Sequence, residues 1–233
     1  ISLDDYFVDR DKTPLDENNQ PDFEHIEAID LELFNDHLAR LINCEEVKIP
    51  KYNFHTGKRE YTGHAIKLEE GQMLILEGIH GLNERLTASV PRQNKFKIYI
   101  SALTALNVDC HTRIHTTDTR LLRRIIRDHQ FRNYSAKDTI RRWPSVRRGE
   151  ERNIFHLQEE ADIMFNSSLV YELAVLKQFA EPLLKEIPET EPEYIDAKRL
   201  LLFLSSFIPL GTEQIPLNSI LREFIGGSCF HTS

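Results

Sequence analysis

The 233-residue chain is poor in cysteine, and its three (Cys44, Cys110, Cys229) are odd in number, far apart and outside any Cys-x-x-Cys pair. That argues against a disulfide framework or a zinc ribbon and fits a reducing cytoplasm. No stretch of about eighteen apolar residues occurs, so the sequence offers no membrane-spanning helix. The opening Ile1-Ser2-Leu3-Asp4-Asp5 lacks the basic start and apolar stretch of a signal peptide. It also lacks an initiator Met and begins inside what reads as a strand, so the chain is expected to be a piece of a longer polypeptide. A Gly-x-x-x-x-Gly-Lys-[Ser/Thr] loop, whose main-chain amides would cradle nucleotide phosphates, is missing too: Gly78, Gly81, Gly226 and Gly227 do not approach that spacing.

What is present is an ordinary globular balance, 40% hydrophobic and 28% charged, which excludes disorder and low complexity as the main description. The net charge is −8, unfavourable for binding duplex DNA through a general basic surface. The charge is uneven. Residues 113 to 152 hold eleven Arg and one Lys against five acids, a net of +7, which leaves −15 for the remainder. Preference for Arg over Lys suits planar, forked recognition of phosphate or carboxylate. The competing reading is a solvated helical face.

The pattern of elements is α/β. Ile1-Ser2-Leu3 reads as the end of a buried strand, and residues 9–22, with Pro14, Asn18, Asn19 and Pro21, as a loop. Asp30 is placed to cap a helix whose Leu31, Phe34, Leu38 and Leu41 recur at helical spacing. Val47–Phe54 is extended and interrupted by Pro50, and a hairpin is expected over Arg59–Lys67. Met73-Leu74-Ile75-Leu76 suits a central parallel strand covered on both faces, and Phe96–Ile100 a further strand. Helices are expected near 117–132, 157–186, 193–206 and 217–225, the last stopped by Gly226-Gly227. Alternation of this kind predicts a mostly parallel sheet with helices on both faces.

Asp4 and Glu77 each follow a strand-like run, and in open α/β sheets the ligand crevice lies at strand carboxyl ends. A carboxylate there can accept a hydroxyl proton or hold Mg²⁺, although a lone strand-end acid is more often a cap or turn residue. Arg120, Arg123, Arg124 and Arg127 fall within about a 100° arc of one helix, opposite Leu121, Leu122, Ile125 and Ile126. One side is expected in the core while the guanidinium groups face something anionic. Tyr52 and Phe54 alternate on an extended segment and share a side, either to sandwich a planar base or as core. His111 and His115 stand four apart beside Cys110, yet no third and fourth zinc ligand follow at standard spacing. Trp143-Pro144 is expected to pack a lid or loop.

These stretches, in order, resemble the uridine kinase and phosphoribulokinase family. Ile1-Ser2-Leu3-Asp4-Asp5-Tyr6-Phe7 is similar to its strand-end Asp motif, and Phe23-Glu24-His25 through Ala28-Ile29-Asp30 to its Phe-Asp-His-Pro-x-Ala-x-Asp segment. Pro50-Lys51-Tyr52-Asn53-Phe54 resembles the Pro-x-Tyr-Asp-Phe substrate strand, Leu74–Ile79 the second acidic strand, and Asp118–Arg124 with Arg127-Asp128 the lid helix. Within the family the chain resembles bacterial uridine kinase-like proteins that carry a region related to threonyl-tRNA synthetase.

The resemblance implies a P-loop NTPase-like kinase fold, here without its first strand and P-loop, over residues 1–190, with 191–233 a helical extension packed on the same domain. It implies ATP-dependent phosphorylation of a nucleoside 5′-hydroxyl, with ATP and Mg²⁺, in the cytoplasm, without membrane or DNA as partner and with homo-oligomers open. Asp4 would be the base and, with Glu77, would support Mg²⁺. Glu24 would contact ribose hydroxyls, Tyr52 and Phe54 would line the base pocket, and Arg59 would join them on the substrate. Arg120, Arg123 and Arg124 would serve the lid and phosphates, with Arg123 and Arg127 on the nucleotide. An upstream region of the same polypeptide would carry the P-loop, and the 233 residues alone would be inactive. Two alternatives stay open: a kinase for another sugar-like acceptor, and a kinase-derived regulatory module holding RNA or another polyanion on the Arg-rich segment.

Overall fold

The computed structural model describes residues 1–17, 19–104 and 106–230; Asn18, expected in the first loop, lies outside them. By its contacts the chain divides into two compact units. One comprises Ile1–Tyr99 with Ser145–Met164, and the other Ile100–Pro144 with Phe165 onward. Among the described residues no helix is long and apolar enough to cross a membrane.

The first unit gathers its core around the amino-terminal segment. Leu3–Tyr6 forms a 3-10 turn whose Leu3 and Tyr6 are buried. Tyr6 packs edge-on against Phe34, ring centroids 4.8 Å apart, and its hydroxyl meets His37 Nδ1 at 3.0 Å. The helix α1 (Leu31–Ile42) begins where the Asp30 carboxylate accepts the Leu33 N–H at 3.1 Å, and it buries Phe34, Leu38 and Leu41 as its spacing requires.

Beyond α1, the chain makes one interrupted hairpin. β1 (Val47–Lys48) pairs antiparallel with β4 (Ala65–Ile66), and β2 (Lys51–Asn53) with β3 (Lys58–Glu60), Tyr52 opposite Arg59. Its turn therefore lies at residues 54–57 and not within the expected 59–67. The reason is local chemistry: Asn53 Oδ1 accepts the N–H groups of His55 and Thr56, and Gly57, at φ +69°, donates to the Asn53 carbonyl at 2.7 Å.

The apolar run before Glu77 departs from expectation. Its main chain bonds on one side to residues 1–3, and only Leu74 and Leu76 pack against the core. Met73 and Ile75, on the alternate side, are 92% and 78% exposed. This segment is covered on one face only.

Among the described residues, parallel pairing occurs in two places. Ser2 bridges Glu77, and β5 (Ile98–Ser101) pairs with β6 (Ile163–Asn166), with Ile163 and Ser167 donating in step to Lys97 and Ser101. The fold is thus mixed α/β with parallel pairing and helices, its described strands joined two by two.

In the second unit, α2 (Thr116–Arg132) buries Leu121, Leu122, Ile125 and Ile126, the face expected from their spacing, and ends at Asn133 in the left-handed region. α3 (Ala136–Asn153) contains Pro144, the point where the two units divide, so Trp143-Pro144 stands in a helix and not in a loop. The expected helix over 157–186 is broken into a 3-10 turn (Phe155–Glu160), β6 and α4 (Glu172–Lys185). Asn166 ends β6 by accepting from Leu103 N–H and Ser168 N–H through its side-chain oxygen. α5 (Tyr194–Ser205) and α6 (Arg222–Ile225, stopped by Gly226) pack with α2 and α4 around Leu176, Leu200, Leu204 and Leu221.

A buried ion pair crosses this core. Arg123, 7% exposed, donates to the Ser167 carbonyl at 2.8 Å and hydroxyl at 3.1 Å and pairs with Glu172, 1% exposed. Removing one partner strands the other charge in a low dielectric. Glu172→Ala is expected to cost about 3–5 kcal/mol of stability, and the double Arg123→Met/Glu172→Leu to recover most of it. Urea unfolding decides this; a single substitution costing under about 1 kcal/mol would show that the pair does not hold the unit.

Candidate active site

Two acids are brought together by main-chain pairing. The Glu77 N–H donates to the Ile1 carbonyl at 3.0 Å and the Leu3 N–H to the Glu77 carbonyl at 2.8 Å. Asp4 therefore leaves one segment as Glu77 leaves the other, at the same edge. Gly78 allows the closeness: it sits at φ +151°, and a Cβ there would lie 2.6 Å from Leu3 Cβ. Asp4 stands on the 3-10 turn, partly buried, and Glu77 is exposed.

An aromatic junction joins the Asp4 segment to two others. Phe7, one residue past the Asp4 turn, meets Phe23 at 6.1 Å, Tyr52 at 5.6 Å and Phe54 at 6.5 Å, all edge-to-face. Phe23 immediately precedes Glu24, so the junction brings the segments carrying Asp4, Glu24 and Tyr52 to one place. Tyr52 and Phe54 share a side as expected. Their rings stand at 77°, however, Tyr52 is buried and Phe54 is half exposed, so the two do not form the parallel faces of a sandwich. Asp5 steadies the strand by accepting the Tyr52 N–H at 3.2 Å and facing Lys51 Nζ at 3.5 Å. Arg59, opposite Tyr52, pairs with Asp30 at 2.9 Å, the residue that caps α1.

The arginines of α2 belong to the second unit and are arranged differently from expectation. Arg123 is buried in its pair with Glu172 and does not face outward with the others. Arg124, Arg127 and Arg132 lie at 3.3, 3.7 and 3.3 Å from the carboxylate of Asp128, itself 4% exposed. Arg120 is partly buried. The rest of the basic segment is largely engaged too: Arg141 with Glu193, Arg142 over the Tyr134 ring, Arg147 with Glu150 and Glu151, and Arg152 with Glu17.

A match to the phosphoribulokinase/uridine kinase family model runs from residue 3 to residue 173. The chain belongs to that family. A uridine kinase of Clostridium botulinum (strain Langeland) is 28% identical over 146 residues, 63% of this chain and 62% of that protein. Uridine kinases of Halobacterium salinarum (25% over 166 residues, 70% of this chain and 65% of that protein) and Anoxybacillus flavithermus (28% over 149 residues, 63% and 61%) are similar. The chain thus spans a little over three-fifths of the length of the relatives it matches.

Sequence reasoning passed over His80, three residues beyond Glu77. It is completely buried, and neither ring nitrogen reaches hydrogen-bond geometry, although the Glu24 and His25 main chain lies beside the ring. Burial, helped by the charge of His25, lowers its pKa to about 4. The unfolded chain, with His near 6.5, then binds the extra proton between these values, so stability is full above pH 6.5 and falls toward pH 4 by up to about 3 kcal/mol. His80→Leu is expected to flatten that slope in urea titrations run from pH 7 to 4, while His37, also depressed by burial, still contributes in the variant. A slope unchanged by the substitution would show that His80 is not held neutral in the folded state.

Proposed function

We propose that this chain is the acceptor-binding and catalytic part of an ATP-dependent nucleoside kinase that phosphorylates the 5′-hydroxyl of a uridine- or cytidine-type nucleoside. The observation that carries the reading is the convergence on Phe7 of the segments bearing Asp4, Glu24 and Tyr52, with Glu77 paired to the strand that delivers Asp4. The uridine kinases among the relatives support the nucleoside as acceptor.

In this reading Asp4 accepts the proton of the acceptor hydroxyl as its oxygen bonds to the γ-phosphorus and the bond to the ADP oxygen breaks. Glu24 holds sugar hydroxyls, and Tyr52 and Phe54 border the base through ring edges rather than a stacked pair. Arg59, already paired with Asp30, serves the substrate by holding the hairpin against α1. Asp4 and Glu77 offer hard carboxylate oxygens suited to Mg²⁺. When bound, Mg²⁺ would offset charge on the transferred group. Arg120, Arg124 and Arg127 are assigned to the nucleotide phosphates, and Arg123 to holding its own unit together.

The sequence lacks a Gly-x-x-x-x-Gly-Lys-[Ser/Thr] stretch, so in this reading the phosphate-cradling loop is assigned to residues outside the 233.

The test uses the longer polypeptide that supplies the loop, with ATP, Mg²⁺ and a nucleoside panel. Asp4→Asn is expected to lower kcat by about 10²–10⁴ while nucleoside affinity changes by less than about threefold. Residues 1–233 alone are expected to give no transfer. Normal turnover by the Asp4→Asn protein would discard the assigned base, and steeply salt-dependent RNA binding without ATP consumption would replace the reading altogether.

A further inference from the structure

Glu24 has a neighbour whose identity the fold alone does not require. Gly149 lies inside α3, buried, in backbone that any residue adopts. Glycine inside a helix is less favourable than alanine, so a packing reason is expected. The reason is visible: a Cβ at position 149 would lie 2.5 Å from Glu24 Cβ and 3.0 Å from Glu24 Cγ. The helix backbone rides directly on the stem of the Glu24 side chain.

The surroundings fix this contact. Four residues before Gly149, the Ser145 hydroxyl meets Asp16 at 3.3 Å, and three residues after it Arg152 pairs with Glu17 at 2.5 Å, so this stretch of α3 is tied to the loop that leads to Glu24. Asp22 Oδ1 accepts the Glu24 N–H at 3.1 Å. The buried His80 ring lies beside the Glu24 and His25 main chain. A shallow depression lined by Asp22, Arg148 and Gly149 among others adjoins the same contact.

We propose that Gly149 is the positioning residue for acceptor recognition. By presenting no side chain it sets how far the Glu24 carboxylate reaches, and so which hydroxyl-bearing edge of the sugar is accepted. This inference rests on the nucleoside kinase reading.

The experiment measures kcat and KM for uridine, together with Tm, in the longer polypeptide bearing Gly149→Ala, Glu24→Gly or both. Gly149→Ala is expected to raise KM about tenfold with kcat within about threefold, and to add nothing once Glu24 is glycine, which lacks the clashing Cβ. An unchanged KM, or an equal KM increase in the Glu24→Gly background, would each overturn the inference. Should Gly149→Ala alone fold poorly, Gly149→Ala/Glu24→Gly removes the clashing Cβ; recovery of the parent Tm supports the contact, and failure to recover overturns it. Absence of nucleoside phosphorylation by the parent shows before any variant is read, and that result refutes the functional reading and this inference with it.

Discussion

The candidate site depends on a short parallel pairing between residues 1–3 and 75–77. Three main-chain hydrogen bonds hold it, from Ile1 N to Ile75 O, Glu77 N to Ile1 O and Leu3 N to Glu77 O. Because parallel strands leave their carboxyl ends at the same edge, this pairing delivers Asp4 and Glu77 together although 72 positions separate them in the chain. Gly78 completes the arrangement, since any side chain there would strike Leu3. A bulkier residue at that point would part the two acids before touching either.

Phe7 extends the arrangement outward. Edge-to-face contacts with Phe23, Tyr52 and Phe54 fix two further segments against the Phe7 ring, which follows Asp4 on its own segment. Charge is managed on a different principle. The strongly basic stretch is folded so that most of its guanidinium groups meet carboxylates of the same chain, with Asp128 serving three of them. One arginine goes further inward: Arg123 is buried, its two terminal nitrogens meeting Glu172 and Ser167 while its Nε finds no partner among the described residues.

Much of this was legible in the residues. α1 and α2 follow from apolar spacing and from Asp30 as a cap, and the family was recognisable from five motifs in order. Other elements were not. Residues 157–186 carry helix formers at both ends, but Asn166 bonds across to residue 103 and Ile163-Met164-Phe165 take a strand partner, contacts no local pattern announces. α3 escaped notice because Pro144 argues against a helix interior, an argument the surrounding residues override. The hairpin register was set by Asn53 and Gly57 acting together.

The residues by themselves determined the chemical inventory: which acids follow apolar runs, which face of α2 is buried, and which family the order of motifs resembles. Those properties rest on local spacing, which is written along the chain. Only the tertiary structure decided that Arg123 turns inward to Glu172 instead of joining the other arginines, that the rings of Tyr52 and Phe54 meet edge to face, and that Gly149 lies against Glu24. Each of these depends on which distant segment arrives at a given spot, and that is settled by packing across the whole unit, where a single Cβ or a single buried charge decides what fits.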